Sequence, residues 1–204
     1  LVPWQMLAQE KGLKLKFVRT DPDTGGLDLE HFESLLTKQT KFVSFQHVSN
    51  VLACINPVKE MVAMVREKAA DDAVILLDAC QSVPHMPTDV QDLGVDFLAA
   101  SGHKMCGPTG IGFLWGRLEL LNSMPPWKGG GEMIDQVTFE ETTYAGLPHK
   151  FEAGTPNISG GIAFGAALDY MNAIGFEVIA AYEMQLLVYA TEEIEKIEGV
   201  RIYG

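Results

Sequence analysis

Two short apolar runs that stop abruptly in polar residues constrain this chain more than any other feature. Val74-Ile75-Leu76-Leu77 ends at Asp78, with Gln81 three residues on. Phe97-Leu98-Ala99-Ala100 ends at Ser101, followed at once by Gly102, His103 and Lys104. An unbroken apolar run of this length reads as a buried strand. Lys41 to Gln46 reads as another strand, and Ile111 to Trp115 as a further one whose direction is left open. Pro57 opens a helix reaching about Ala69, with Val58, Met61, Val62 and Val65 on one face. The interval from Asp78 to Lys104 has the size of one βαβ unit. Strands alternating with helices predict an α/β fold with a mostly parallel sheet flanked by helices. In such sheets ligands collect at the carboxyl ends of the strands, where Asp78 and Lys104 stand.

The remaining segments fill in around this frame. Pro3 to Gly12 reads as a helix closed by glycine. Leu13 to Val18 alternates apolar and basic residues, which predicts a strand. Asp21 to Gly26 is a turn by composition, and Asp28 caps a helix over roughly Leu29 to Leu36. Pro125 to Gly131 is a loop. Ile158 to Tyr170 and Phe176 to Ile197 read as two long helices separated by Gly175, their Met and aliphatic stripe taken as core packing. Gly199 to Gly204 reads as the start of a strand. With Leu1 at its start and a helix opening directly at Pro3, the chain is expected to be the middle of a longer protein.

Composition narrows the function class. A chain of 204 residues suffices for one domain with a substantial core. The net charge of −12 argues against nucleic acid as a partner, because phosphate backbones are bound by basic surface. The apolar runs are strand-sized, so no membrane-spanning helix is expected. Cys54, Cys80 and Cys106 are not arranged in CxxC pairs, which argues against a disulfide framework or a zinc site. A reducing compartment follows: the cytoplasm, or a plastid or mitochondrial interior.

Chemistry concentrates at the strand ends. An acid on one and an amine on the next suit a pyridoxal phosphate (PLP) site. The acid pairs with the pyridinium nitrogen, and the amine forms the Schiff base. Taken singly, Lys104 also reads as a surface lysine and Asp78 as a turn or capping residue. Gln81 and Asn50 can each donate a hydrogen bond to the ring phenolate oxygen. Ser101 and His103 offer a hydroxyl and a ring N–H to a phosphate. The three cysteines read as buried small residues. Gly129 to Gly131 lacks the context of a nucleotide loop.

Taken together, Asp78-Ala79-Cys80-Gln81 and Ser101 to Gly112 resemble the cofactor motifs of class V aminotransferase-fold enzymes. More narrowly, they resemble SUF-type cysteine desulfurases, also described as selenocysteine lyases. Val2 to Gln5, His47 to Leu52, Met124 to Trp127 with the triple glycine, and Phe151 to Asn157 extend the likeness over nearly the whole chain. The resemblance implies the large domain of a fold type I PLP-dependent transferase, truncated at both ends. Residues 1–198 would be the cofactor-binding core, and 199–204 the start of a C-terminal small domain. It implies removal of sulfur from L-cysteine, or selenium from L-selenocysteine. The products would be L-alanine and an enzyme persulfide, passed to a sulfur-acceptor protein for iron–sulfur cluster assembly.

By position, the resemblance makes Lys104 the Schiff-base lysine and proton shuttle. Asp78 would hold the pyridinium, Gln81 and Asn50 the phenolate oxygen, and Ser101 and His103 the phosphate. Thr155 would reach the phosphate of a neighbouring subunit in a homodimer. The stacking histidine and upstream phosphate turn of the family would precede Leu1. Its catalytic cysteine and substrate arginine would follow Gly204, so this span alone is expected to turn over little cysteine. Arg66 to Ala73 is longer than usual, and Ala53-Cys54-Ile55 departs from the commoner sequence; both bear on substrate preference. An aminotransferase of the same fold, and a non-catalytic scaffold that kept it, stay open.

Overall fold

In the computed structural model, which describes residues 1–203, the apolar runs become neighbouring strands. β1 (Phe42–Gln46), β2 (Val74–Asp78) and β3 (Phe97–Ser101) run parallel, side by side in that order. β4 (Gly112–Gly116) is antiparallel to β3, which resolves the direction left open by the sequence. The Gly102–Ile111 connection is too short for a crossover, so the chain can only fold back beside the strand it left.

Helices cover the sheet through the stripes their sequences encode. α1 (Val2–Lys11) closes at Gly12 and lays Trp4 on Phe42, ring centroids 5.0 Å apart. α2 (Leu29–Leu35) is capped by Asp28, which accepts from the His31 N–H at 2.8 Å. α3 (Val58–Lys68) buries Val58, Met61, Val62 and Val65, the face its periodicity marks out. α4 (Val90–Leu93) is a single turn between β2 and β3, capped by Asp89. α5 (Leu118–Ser123) follows β4. β5 (Ile134–Val137) and β6 (Thr142–Tyr144) form a separate hairpin. α6 (Ile158–Ile174) brings Phe164, Ala167 and Met171 into the core. α7 (Phe176–Glu195) follows it at an angle of 76°.

Ile75 and Leu77 of β2 have no exposed surface. Each such side chain contributes about 1.5–3 kcal/mol by leaving water. Asp96, buried at the start of β3, pins the elements behind the site. Its Oδ2 accepts from Arg66 Nη2 and from the Ile75 N–H, both at 2.7 Å, and its Oδ1 forms an ion pair with Arg117 Nε at 3.0 Å. Two donors and a second guanidinium offset the desolvation of this carboxylate and tie α3, β2, β3 and the β4–α5 junction together.

Three expectations from sequence are corrected. Leu13 to Val18 is not a strand, since no neighbouring backbone among the described residues completes a ladder with it. Residues 199–203 form no strand either, and Gly204 lies outside the described residues. The β5–β6 hairpin and α5 were not anticipated, being short and weakly patterned. The apolar stripe of α7 is not core: the helix buries no residue, and only Phe176 and Ile179 pack against the core cluster. The bend at Gly175 turns the rest of its apolar surface away from the sheet.

Candidate active site

The parallel register brings three strand ends to one edge. Gln46 pairs with Asp78, and Asp78 with Ala99, so the last residues of β1 and β2 lie level and Ser101 stands just beyond. The His47 N–H donates to the Asp78 carbonyl at 2.8 Å, and the Ala79 N–H to the Ala99 carbonyl at 2.9 Å. These bonds carry the ladder past the strands into the turns that hold the chemistry.

Lys104 closes a 3₁₀ turn, Gly102–Lys104, directly after β3. The turn is knotted by backbone: Gly107 N–H and Met105 N–H both donate to the Gly102 carbonyl, and Gly102 N–H to the Ile111 carbonyl. Side chains have no room there. A Cβ on Gly107 would sit 2.7 Å from the Gly102 oxygen, and one on Gly112 2.5 Å from the Ala100 oxygen. The glycines therefore let the backbone fold back tightly enough to fix the half-buried Lys104 at the sheet edge.

Asp78 is exposed. Its Oδ1 accepts the Cys80 N–H at 3.0 Å, which is the turn role left open by the sequence. Among the described residues no hydrogen bond or ion pair engages its Oδ2 or the Lys104 amine, so both remain available to a ligand. The Cys80 thiol lies 3.3 Å from Ser101 Oγ and 3.9 Å from the Ala99 carbonyl oxygen. Burial pushes this thiol above its ordinary range; the Ser101 hydrogen bond pulls it down, Asp78 pushes it up, and Lys104 pulls it down. The thiol thus joins the turn after β2 to the hydroxyl that ends β3.

Asn50 and Gln81 converge independently. They line a cleft of about 310 Å³ together with Ser49, Ala53, His85 and Glu183. His85 Nδ1 and Glu183 Oε1 are 2.7 Å apart, which links the turn after β2 to α7. His103 is exposed beside Lys104. Thr155 is exposed in the loop before α6, and no hydrogen bond among the described residues joins it to the Asp78–Lys104 group. Its successors Pro156 to Ile158 wall a second cleft, of about 590 Å³, with Gly110 to Gly112.

Two features escaped the sequence. Cys80, read as packing, sits among the site groups; its place two residues after Asp78, in the same turn, was the available signal. The His85–Glu183 pair spans 98 positions of chain, so no local pattern marks it. Cys106 is exposed, not buried, and has a left-handed backbone at φ 57°.

The class-V aminotransferase family profile matches residues 1–204. The chain belongs to the class-V aminotransferase family. It is 51% identical over 204 residues to a probable cysteine desulfurase of Synechocystis sp., covering all of this chain and 48% of that protein. It is 47% identical to a cysteine desulfurase of Haloferax volcanii, covering 100% of the chain and 47% of that protein. The chain therefore spans about half the length of these curated relatives. Among solved structures, the cysteine desulfurase CsdA of Escherichia coli superposes with a TM-score of 0.92 at 35% identity, covering 98% of this chain and 49% of that one. An apo cysteine desulfurase of Thermococcus onnurineus gives 0.92 at 40% identity, with coverage of 100% and 50%.

Class-V aminotransferase-fold proteins use PLP, and the donor set at this sheet edge fits it. The disengaged Asp78 oxygen suits a cationic ring N–H, and the disengaged amine suits an aldehyde. A hydroxyl and an imidazole follow β3 where a phosphate needs donors.

Proposed function

We propose that this chain is the cofactor-binding half of a PLP-dependent cysteine desulfurase. The observation that carries the reading is that neighbouring parallel strands β2 and β3 bring Asp78 and the turn ending in Lys104 to one edge of the sheet. An acid and an amine at one sheet edge can serve the two ends of a single ring. Similarity at 47–51% identity to cysteine desulfurases supports the choice of substrate.

When bound, PLP would supply an electron sink for breaking the C–S bond of L-cysteine. Asp78 would keep the ring nitrogen protonated. Lys104 would hold the aldehyde carbon in the resting protein and then take the proton from the substrate α-carbon. Ser101 and His103 would bind the phosphate, while Gln81 and Asn50 would donate to the phenolate oxygen. Thr155, exposed and, among the described residues, not hydrogen-bonded to this chain's own cluster, would serve the phosphate site of a second subunit in a homodimer. The sulfur leaves to a thiolate that is none of Cys54, Cys80 or Cys106, then to an acceptor protein; L-selenocysteine is an alternative substrate. The cytoplasm, or a plastid or mitochondrial interior, is the proposed setting.

Borohydride reduction of the PLP-treated protein, followed by peptide mapping, tests the anchor. The label is expected on Lys104 and is lost in Lys104→Ala. Label on no lysine would overturn the enzyme reading in favour of a scaffold. Formation of L-alanine from L-cysteine by the full-length protein tests the reaction class, since a transaminase would give a keto acid instead.

A further inference from the structure

We propose that Cys80 is a positioning residue for the phosphate-binding hydroxyl: its S–H donates to Ser101 Oγ and leaves the serine's own hydrogen for the bound anion. The inference rests on the reading of Ser101 as a phosphate ligand and names what orients it.

Residue 80 ties two strand ends together. Its backbone N–H holds Asp78 Oδ1 at 3.0 Å, at the end of β2. Its thiol reaches across to Ser101 Oγ at 3.3 Å, at the end of β3. The other acceptor in reach, the Ala99 carbonyl oxygen, is farther away at 3.9 Å. The hydroxyl is thus the nearer partner for the single S–H.

The direction of that bond matters. A serine hydroxyl has one hydrogen and two lone pairs. If the sulfur donates, the hydroxyl hydrogen is free to turn outward to a phosphate oxygen. If the sulfur accepts, that hydrogen points inward and the phosphate meets a lone pair. Burial, the largest influence, keeps the thiol protonated and so able to donate; Asp78 acts the same way, while Ser101 and Lys104 act against it. The same shift makes Cys80 a poor nucleophile, because the thiolate is the reactive species. Cys80 therefore orients a ligand and does not receive sulfur.

The test compares wild-type, Cys80→Ala and Cys80→Ser forms of the full-length protein, titrated with PLP and separately with pyridoxal. Pyridoxal keeps the aldehyde and the ring nitrogen but lacks the phosphate. In Cys80→Ala, PLP affinity is expected to fall roughly three- to tenfold, the loss of one hydrogen bond. Pyridoxal affinity should stay within about twofold, below the effect of one such bond. Cys80→Ser, whose hydroxyl can also donate, should restore most of the PLP affinity. A Cys80→Ala variant that weakens both ligands equally would show a merely structural role and overturn the inference, as would one that leaves PLP affinity unchanged. A wild-type protein that binds neither ligand would instead bring down the cofactor reading beneath it.

Discussion

Strand β2 and helix α7 are both rich in aliphatic residues, and they end in opposite surroundings. Ile75 and Leu77 have no exposed surface, whereas Leu187 and Tyr189 of α7 are 59% and 64% exposed. The difference lies in their neighbours. β2 has a hydrogen-bonded strand on each side and α3 packed in the same core cluster. α7 departs from α6 at 76° and meets the core only through Phe176 and Ile179. Apolar composition is a demand for a partner surface, and only the tertiary arrangement shows whether it is met.

This contrast can be broken by mutation. Ile75→Ala should destabilise the protein by about 2–5 kcal/mol, because a buried side chain leaves a cavity the sheet cannot close. Chemical denaturation measures this directly, and a loss near zero would mean β2 is less enclosed than described. Asp96→Ala should cost about 2–3 kcal/mol, since the buried Ile75 N–H and two arginines lose their shared acceptor. Arg66→Ala should cost less, because Arg117 and the Ile75 N–H still engage the carboxylate.

His47 sharpens the comparison through pH. It is buried just past β1, its Nδ1 has no hydrogen-bond partner, and burial holds its pKa below the ordinary imidazole value. On acidification the unfolded imidazole takes up a proton that the folded one resists. Stability should therefore fall as pH drops below about 6.5, toward the depressed folded value. His47→Gln should flatten that acid-side decline in a series of thermal melts. At the small end, Leu187→Ala on α7 should change stability by no more than about 0.5 kcal/mol. A loss as large as that of Ile75→Ala would show that α7 has a covering surface in solution.

The candidate site was legible in sequence where chemistry follows a strand directly. Asp78, Ser101 and Lys104 stand out because each lies at or next to the end of an apolar run. Asn50 and Gln81 were weaker signals, and the cleft that joins them is a fact of loop packing. Cys80 was misread because a thiol in an apolar context looks like filler until its neighbours across the strand are known. His85 with Glu183 was invisible for a simpler reason: no local spacing relates residues on distant elements.

Local sequence by itself determined the strands β1 to β3, the buried face of α3, the Asp28 cap and the glycines around Lys104. Each follows from short-range sterics, periodicity or capping, which act within a few residues. Tertiary structure alone decided that Leu13 to Val18 stays unpaired, that α7 turns outward, and that the Cys80 sulfur meets the Ser101 hydroxyl across the strands. Those outcomes depend on which surfaces meet across the fold, and a free energy of contact has no counterpart in the spacing of residues along the chain.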